Sequence, residues 1–156
     1  MDKLILRRAT PGDLENIHQL QLDVFHGEQS IPSTMIPLTA DQSPKWWCAL
    51  VDSAMVGAVA AWEVNHEIHW GRFATRKEYR GMQIGTKLAR FSLDDLFSQQ
   101  VKDIYMDARD ATVNIICKMG GEIVGEPTSF YEGTVTPMIL NDHAYLMYKT
   151  VADNKS

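Results

Sequence analysis

Phe73-Ala74-Thr75-Arg76-Lys77-Glu78-Tyr79-Arg80-Gly81-Met82-Gln83-Ile84-Gly85-Thr86-Lys87-Leu88 is the stretch on which the reading of this chain turns. A strand end runs into a short basic turn and then into small residues. An amphipathic helix follows, marked by Ile84, Leu88, Phe91, Leu96 and Phe97. The first amides of a helix lack internal partners and sit at the positive end of its dipole. Gly81 and Gly85 let that backbone come close to an anion, so the geometry suits a phosphate or pyrophosphate. Arg80 and Lys87 would add charge beside it.

Two phosphate-loop patterns fail on register. The Walker pattern needs four residues between its glycines and then Gly-Lys-Ser/Thr, whereas Gly85 follows Gly81 too closely and Thr86 precedes Lys87. The dinucleotide fingerprint needs three spaced glycines inside a parallel βαβ unit. Here the segments leading in, Trp46 to Val51, Met55 to Val64 and Glu67 to Ala74, are separated by Asp52-Ser53 and Asn65-His66 at hairpin spacing, which predicts an antiparallel meander.

Working outward, Leu4 to Arg8 reads as a first strand. Thr10-Pro11-Gly12-Asp13 supplies a capping hydroxyl, a proline at the first helical position and an acid at the third, and opens a helix to about Gly27. Ser30 to Pro44 is a proline-rich loop with room for a short helix. After the central helix, Asp103 to Asp107 is a strand and Ala111 to Met119 a helix stopped by Gly120-Gly121. Glu122 to Val124 and His143 to Thr150 are expected as late strands around a polar excursion at Tyr131-Glu132-Gly133-Thr134. The expected fold is α/β: a mixed, mostly antiparallel sheet flanked by helices, in the order βα(α)βββαβαββ.

At 156 residues the chain suits a single domain spanning 1–156. Hydrophobic residues at 45% and charged residues at 22% are globular values. No apolar run approaches the roughly 20 residues of a membrane helix, and the early charges of Lys3, Arg7 and Arg8 do not read as a signal peptide. Cys48 and Cys117 form neither a disulfide framework nor a metal cluster, and read as reduced, largely buried thiols of a cytoplasmic protein. A net charge of −5 argues against nucleic acid as partner. The basic run Arg72, Arg76, Lys77, Arg80, Lys87 and Arg90 reads either as a small-anion site or as a solvated face.

The central stretch resembles the coenzyme A motif of the GNAT superfamily of N-acetyltransferases, Arg/Gln-x-x-Gly-x-Gly/Ala after a strand. Arg80 and Gly85 match its ends and Tyr79-Arg80-Gly81 its usual lead-in, while Gln83 holds the central glycine position. A side chain is tolerable there where the backbone stays right-handed and the chain points to solvent. The element order agrees along nearly the whole chain. Val24-Phe25-His26-Gly27-Glu28-Gln29 is similar to a stretch of the ElaA-like branch, which would put Glu28 and Gln29 near the acceptor-side loop.

The resemblance implies an acetyl-CoA-dependent N-acetyltransferase, an acyltransferase moving groups other than aminoacyl groups, directly and without metal, to a small-molecule or peptide amine. It implies backbone contacts from Phe73, Ala74 and Thr75 to the pantetheine arm. Arg80 and the amides of Gly81, Met82, Gln83, Ile84, Gly85 and Thr86 would hold the pyrophosphate. Homodimers are common in the family; no nucleic acid or membrane partner is implied. For the base, Glu67 stands against the alternative of a solvated acid at a strand start, and His69 against that of a half-buried structural histidine. Strand alternation puts Glu67, His69, Gly71, Phe73 and Thr75 on one face. The family's usual acid is a helix tyrosine, whose place Ile116 holds, with Gly121 replacing the aromatic that follows. Water or another phenol, Tyr131 or Tyr105, would then protonate the thiolate. A non-catalytic acyl-CoA-binding module is the alternative these departures support.

Overall fold

The turns Asp52-Ser53 and Asn65-His66 set the centre of the sheet. All four residues have positive φ, between 50° and 72°, a geometry whose twist matches that of flanking strands. They join β2 (Lys45–Val51), β3 (Ala54–Val64) and β4 (Glu67–Thr75) into the expected meander. β1 (Leu4–Arg8) pairs with β2 at the edge. The computed structural model describes residues 3–38 and 42–154. Residues 39–41 of the proline-rich loop lie outside them; earlier in that loop Ser33–Met35 forms one 3-10 turn.

Thr10 opens the first helix as its sequence implies. The Asp13 carboxylate accepts from the Thr10 amide at 2.7 Å and from its hydroxyl at 3.1 Å. α1 (Leu14–Gln21) then widens into a π-helical turn, Leu22–His26. Beyond β4 follow α2 (Ile84–Ser98), β5 (Asp103–Ala108), α3 (Asp110–Lys118), β6 (Glu122–Ile123), β7 (Thr128–Phe130) and β8 (Gly133–Asn141). The strand order is β1-β2-β3-β4-β5-β8-β6, with β7 on β8. Among the described residues, β4 and β5 are the one strand pair that runs parallel. One apolar layer packs α1 and its π turn on the sheet around Leu20, Cys48 and Ala58; the other packs α2 around Trp47, Trp70, Leu88 and Leu93. Small residues at the centre of β3 allow helices on both faces, and a Cβ on Gly57 would sit 3.2 Å from Leu88.

Residues 143–150, expected as a strand, are helical. α4 (Asp142–Asp153) is capped by Asn141, whose side chain accepts from the Ala144 amide at 3.1 Å. The last strand instead comes earlier, as β8. Cys117, expected to be buried, is exposed on α3, whereas Cys48 is buried and its thiol pushed up by that burial.

Two irregularities shape β4. It pairs with β5 only through Ile68 with Ile104 and His69 with Tyr105, so the strands part beyond those residues. Arg72 adopts φ 55° where the β3–β4 register shifts, which is a bulge. The bulge breaks the expected single face. Glu67, His69 and Gly71 lie on the side of Trp62 and α1, while Phe73 and Thr75 turn toward α2.

Candidate active site

Where β4 and β5 part, their facing edges lack the ladder bonds a strand pair would make, and α2 begins across the gap. The first backbone bond into α2 runs from the Lys87 amide to the Gln83 carbonyl at 3.0 Å. The amides of Ile84, Gly85 and Thr86 therefore have no partner within the helix. A cleft of about 500 Å³ lies against this helix start. Phe73, Ala74, Thr75, Arg80, Gly81, Gln83, Ile84, Gly85 and Thr86 all line it; Met82 does not, and is exposed. A Cβ on Gly85 would meet the Phe73 ring at 3.3 Å and Thr75 Oγ1 at 3.6 Å, so glycine sets the closeness of α2 to β4.

Gln83 departs from expectation. Its side chain is solvent-exposed, but its backbone is left-handed, with φ 62° and ψ 15°. Gly81, at φ 85°, has open space around it. Arg80 is a clamp as much as a charge: it donates to the Thr75 carbonyl at 3.0 Å and pairs with Glu28 at 2.7 Å. This contact puts Glu28 beside the turn that leads into α2. Gln29 also lines the cleft, and its buried Oε1 has no hydrogen-bond partner among the described residues. Arg76 and Arg90 pair with Asp23 and Asp153. Much of the basic run is thus matched by acids.

A second cavity, of about 100 Å³, opens on the other side of the gap. Phe73, Arg109 and Thr112 line both spaces and so mark where they meet. The cavity is walled by Phe25, Ile31 and Met35 on one side, by Arg72 and Asp107 across the gap, and by Phe130 from the β7–β8 hairpin. Tyr131 of that hairpin donates to Met35 Sδ at 3.0 Å and lines neither space. Gly133 leaves room for the Arg109 guanidinium, which a Cβ there would strike.

Glu67 and His69 line neither space. They sit where β4 and β5 are still paired, Glu67 exposed and its carboxylate 3.7 Å from His69 Nε2. The His69 ring is 6.2 Å from Trp62 and 5.8 Å from Tyr105. Burial, then the negative charges of Glu67 and Asp103, raise the Tyr105 phenol above its ordinary range. Ile116 points into the core and is fully buried; the residues of α3 that face the cleft are Ala111, Thr112 and Ile115. Sequence reasoning passed over Asp107, Arg109 and Thr112, whose signal is position alone, at the end of β5 and the start of α3 where the gap opens; Tyr79, read only as part of the motif's lead-in, also lines the cleft.

Among the described residues no helix is long and apolar enough to cross a membrane, and no three His, Cys, Asp or Glu side chains form a metal group. Comparison with curated protein sequences gives no match. Solved structures give many. ElaA from Escherichia coli aligns with a TM-score of 0.75 at 20% identity, covering 89% of this chain and 99% of its own. An acyl-CoA N-acyltransferase from Pseudomonas aeruginosa aligns at 0.72 and 17% identity, covering 89% and 99%. A chimera of the Vibrio cholerae spermidine N-acetyltransferase SpeG with hSSAT aligns at 0.67 and 18%, covering 92% and 98%. At these identities the likeness is one of fold. The sequence profile of the Acetyltransferase (GNAT) family matches residues 13–125, from the first helix through the whole cleft. The chain therefore belongs to the GNAT acetyltransferase family.

Proposed function

We propose that the protein is a single-domain N-acetyltransferase that takes acetyl-CoA in the larger cleft and a small amine in the adjoining cavity. The supporting observation is the meeting of the two spaces at Phe73, Arg109 and Thr112, beneath the free amides of α2. The residues present fit such a ligand: unpaired helix amides for a pyrophosphate, and an unpaired β4 edge for an extended, amide-bearing arm. When bound, acetyl-CoA supplies a thioester carbonyl open to attack by a neutral amine. The chain's own work is to align that carbonyl with the amine, exclude water, and steady charge on the carbonyl oxygen. Backbone N–H groups of Phe73 and Thr75, on the β4 edge away from β3, and the Thr112 hydroxyl are the donors we assign to this.

Deprotonation of the ammonium we assign to a row of groups. Asp107 stands on the cavity wall, and Tyr105, His69 and Glu67 lie behind it. Glu67→Gln and Asp107→Asn should each lower turnover, by on the order of 10²-fold for whichever group takes the proton, with coenzyme A affinity unchanged. Thiol release measured with both variants decides the assignment; parent rates in both would remove the row from the mechanism. The alternative, a module that binds acyl-CoA without catalysis, draws on the absence of a phenol on the cleft face of α3. Tight acetyl-CoA binding with no transfer to any amine would favour it.

A further inference from the structure

Arg72 and Arg109 are the cavity side chains whose polar groups the fold leaves unfinished. Arg72 Nε and Arg109 Nη2 are buried and have no hydrogen-bond partner among the described residues. The hydrogen bonds that these guanidiniums make are to neutral carbonyls. Arg72 Nη2 donates to the Met35 carbonyl at 3.3 Å, and Arg109 Nη1 to the Phe130 carbonyl at 2.8 Å. Arg72 lies over the Trp62 ring at 6.0 Å and Arg109 over Phe130 at 5.1 Å. The other arginines, Arg7, Arg8, Arg76, Arg80 and Arg90, each pair with a carboxylate.

A half-buried guanidinium that forms no ion pair among the described residues is unfavourable, and burial depresses both below their ordinary range, opposed at Arg109 by the negative charge of Asp110. An oxyanion in the cavity would complete them, and the planar guanidinium fork matches a carboxylate. Asp107 on the same wall can receive a cation. We propose that Arg72 and Arg109 bind the carboxylate of a small acceptor carrying both an amine and a carboxylate, as an amino acid does. The inference rests on the acetyltransferase reading and names its substrate class. A polyamine would instead meet two cations, which is discrimination by repulsion.

The test is calorimetry on the protein saturated with coenzyme A, titrated with N-acetyl-L-amino acids and with the carboxamide of each. At least one acid should bind at least about 10-fold more tightly than its carboxamide, the difference a charged hydrogen-bonded pair supports. Arg72 does not line the coenzyme cleft, so Arg72→Met should reduce that difference to under about 2-fold with coenzyme A affinity unchanged, and Arg72→Lys should retain part of it. The comparison of acid with carboxamide on the parent needs no variant to fold. If no acid outbinds its carboxamide while coenzyme A binds, this inference falls and the acetyltransferase reading stands. If coenzyme A itself does not bind, the reading beneath it has failed as well. Tighter binding of phosphoethanolamine than of any carboxylate would overturn the assignment to a carboxylate.

Discussion

Gln83 holds φ 62° at the mouth of the cleft with its side chain in water, so nothing in its packing compensates the left-handed backbone. A non-glycine residue there costs about 1–2 kcal/mol; glycine gives back part of that gain through unfolded-state entropy. Gln83→Gly should therefore raise stability by a net of about 0.5–1 kcal/mol, read as a higher urea midpoint, with coenzyme A affinity kept. A lower midpoint would mean that the side chain holds something the backbone geometry does not show. Residue scale is also where the reading of α3 was one position out. Ile116 is fully buried, so Ile116→Tyr should overpack the core and cost about 1–3 kcal/mol. Ile115 faces the cleft, and Ile115→Tyr should keep the parent's midpoint. Equal midpoints for the two tyrosine variants would contradict this placement. The loop and helix start from Gly81 to Thr86 were legible from sequence because glycines and a helix start are local signals. Arg109 and Thr112 were not, because their importance comes from the parting of two strands far apart in the chain.

Elements are tied together by a few charged groups whose partners the sequence does not reveal. Asp95 on α2 accepts from Arg8 of β1 and from Trp47 Nε1 of β2 at 2.8 Å. The Arg8 hydrogen bond, helped by those from Trp47 and Gln99 and opposed by burial, pulls its carboxyl down to about 2. Arg7 likewise holds Asp13 well below the usual carboxylate range, joining β1 to the start of α1. Both folded values are depressed, so the stabilisation is complete above the ordinary carboxylate value of about 4. For Asp95 it is lost as pH falls from there toward about 2. Melting temperature should drop across that window in the parent and drop less in Asp95→Asn. That variant should also be less stable at neutral pH by about 1–2 kcal/mol, because a neutral amide accepts more weakly than the carboxylate from Trp47 Nε1. Parallel pH profiles would show that Asp95 is not the group responsible. The hairpin turns and the cap at Thr10 were legible because each depends on neighbours in sequence. The helix at Asp142–Asp153 was not: its run of mixed apolar and polar residues fits either period, and the Asn141 cap with Tyr145 packed on Phe97 decides it. The bulge at Arg72 was hidden for a related reason, since alternation assumes an unbroken strand.

Over the whole molecule, the sheet is continuous except where β4 leaves β5, and the site lies at that break. Irregular pairing inside a sheet leaves backbone groups in need of partners, and here the break faces a helix start also in need of them. The central claim is that this cleft holds coenzyme A by those groups. Its most direct test is calorimetric titration of coenzyme A into the parent and into Gly85→Val, whose branched side chain would crowd the Phe73 ring and Thr75. The account predicts a dissociation constant on the order of micromolar for the parent, weakening with added salt, and a loss of at least about 10-fold in the variant, worth about 1.4 kcal/mol. No heat of binding at millimolar coenzyme A and low salt, or undiminished affinity in Gly85→Val, would contradict it.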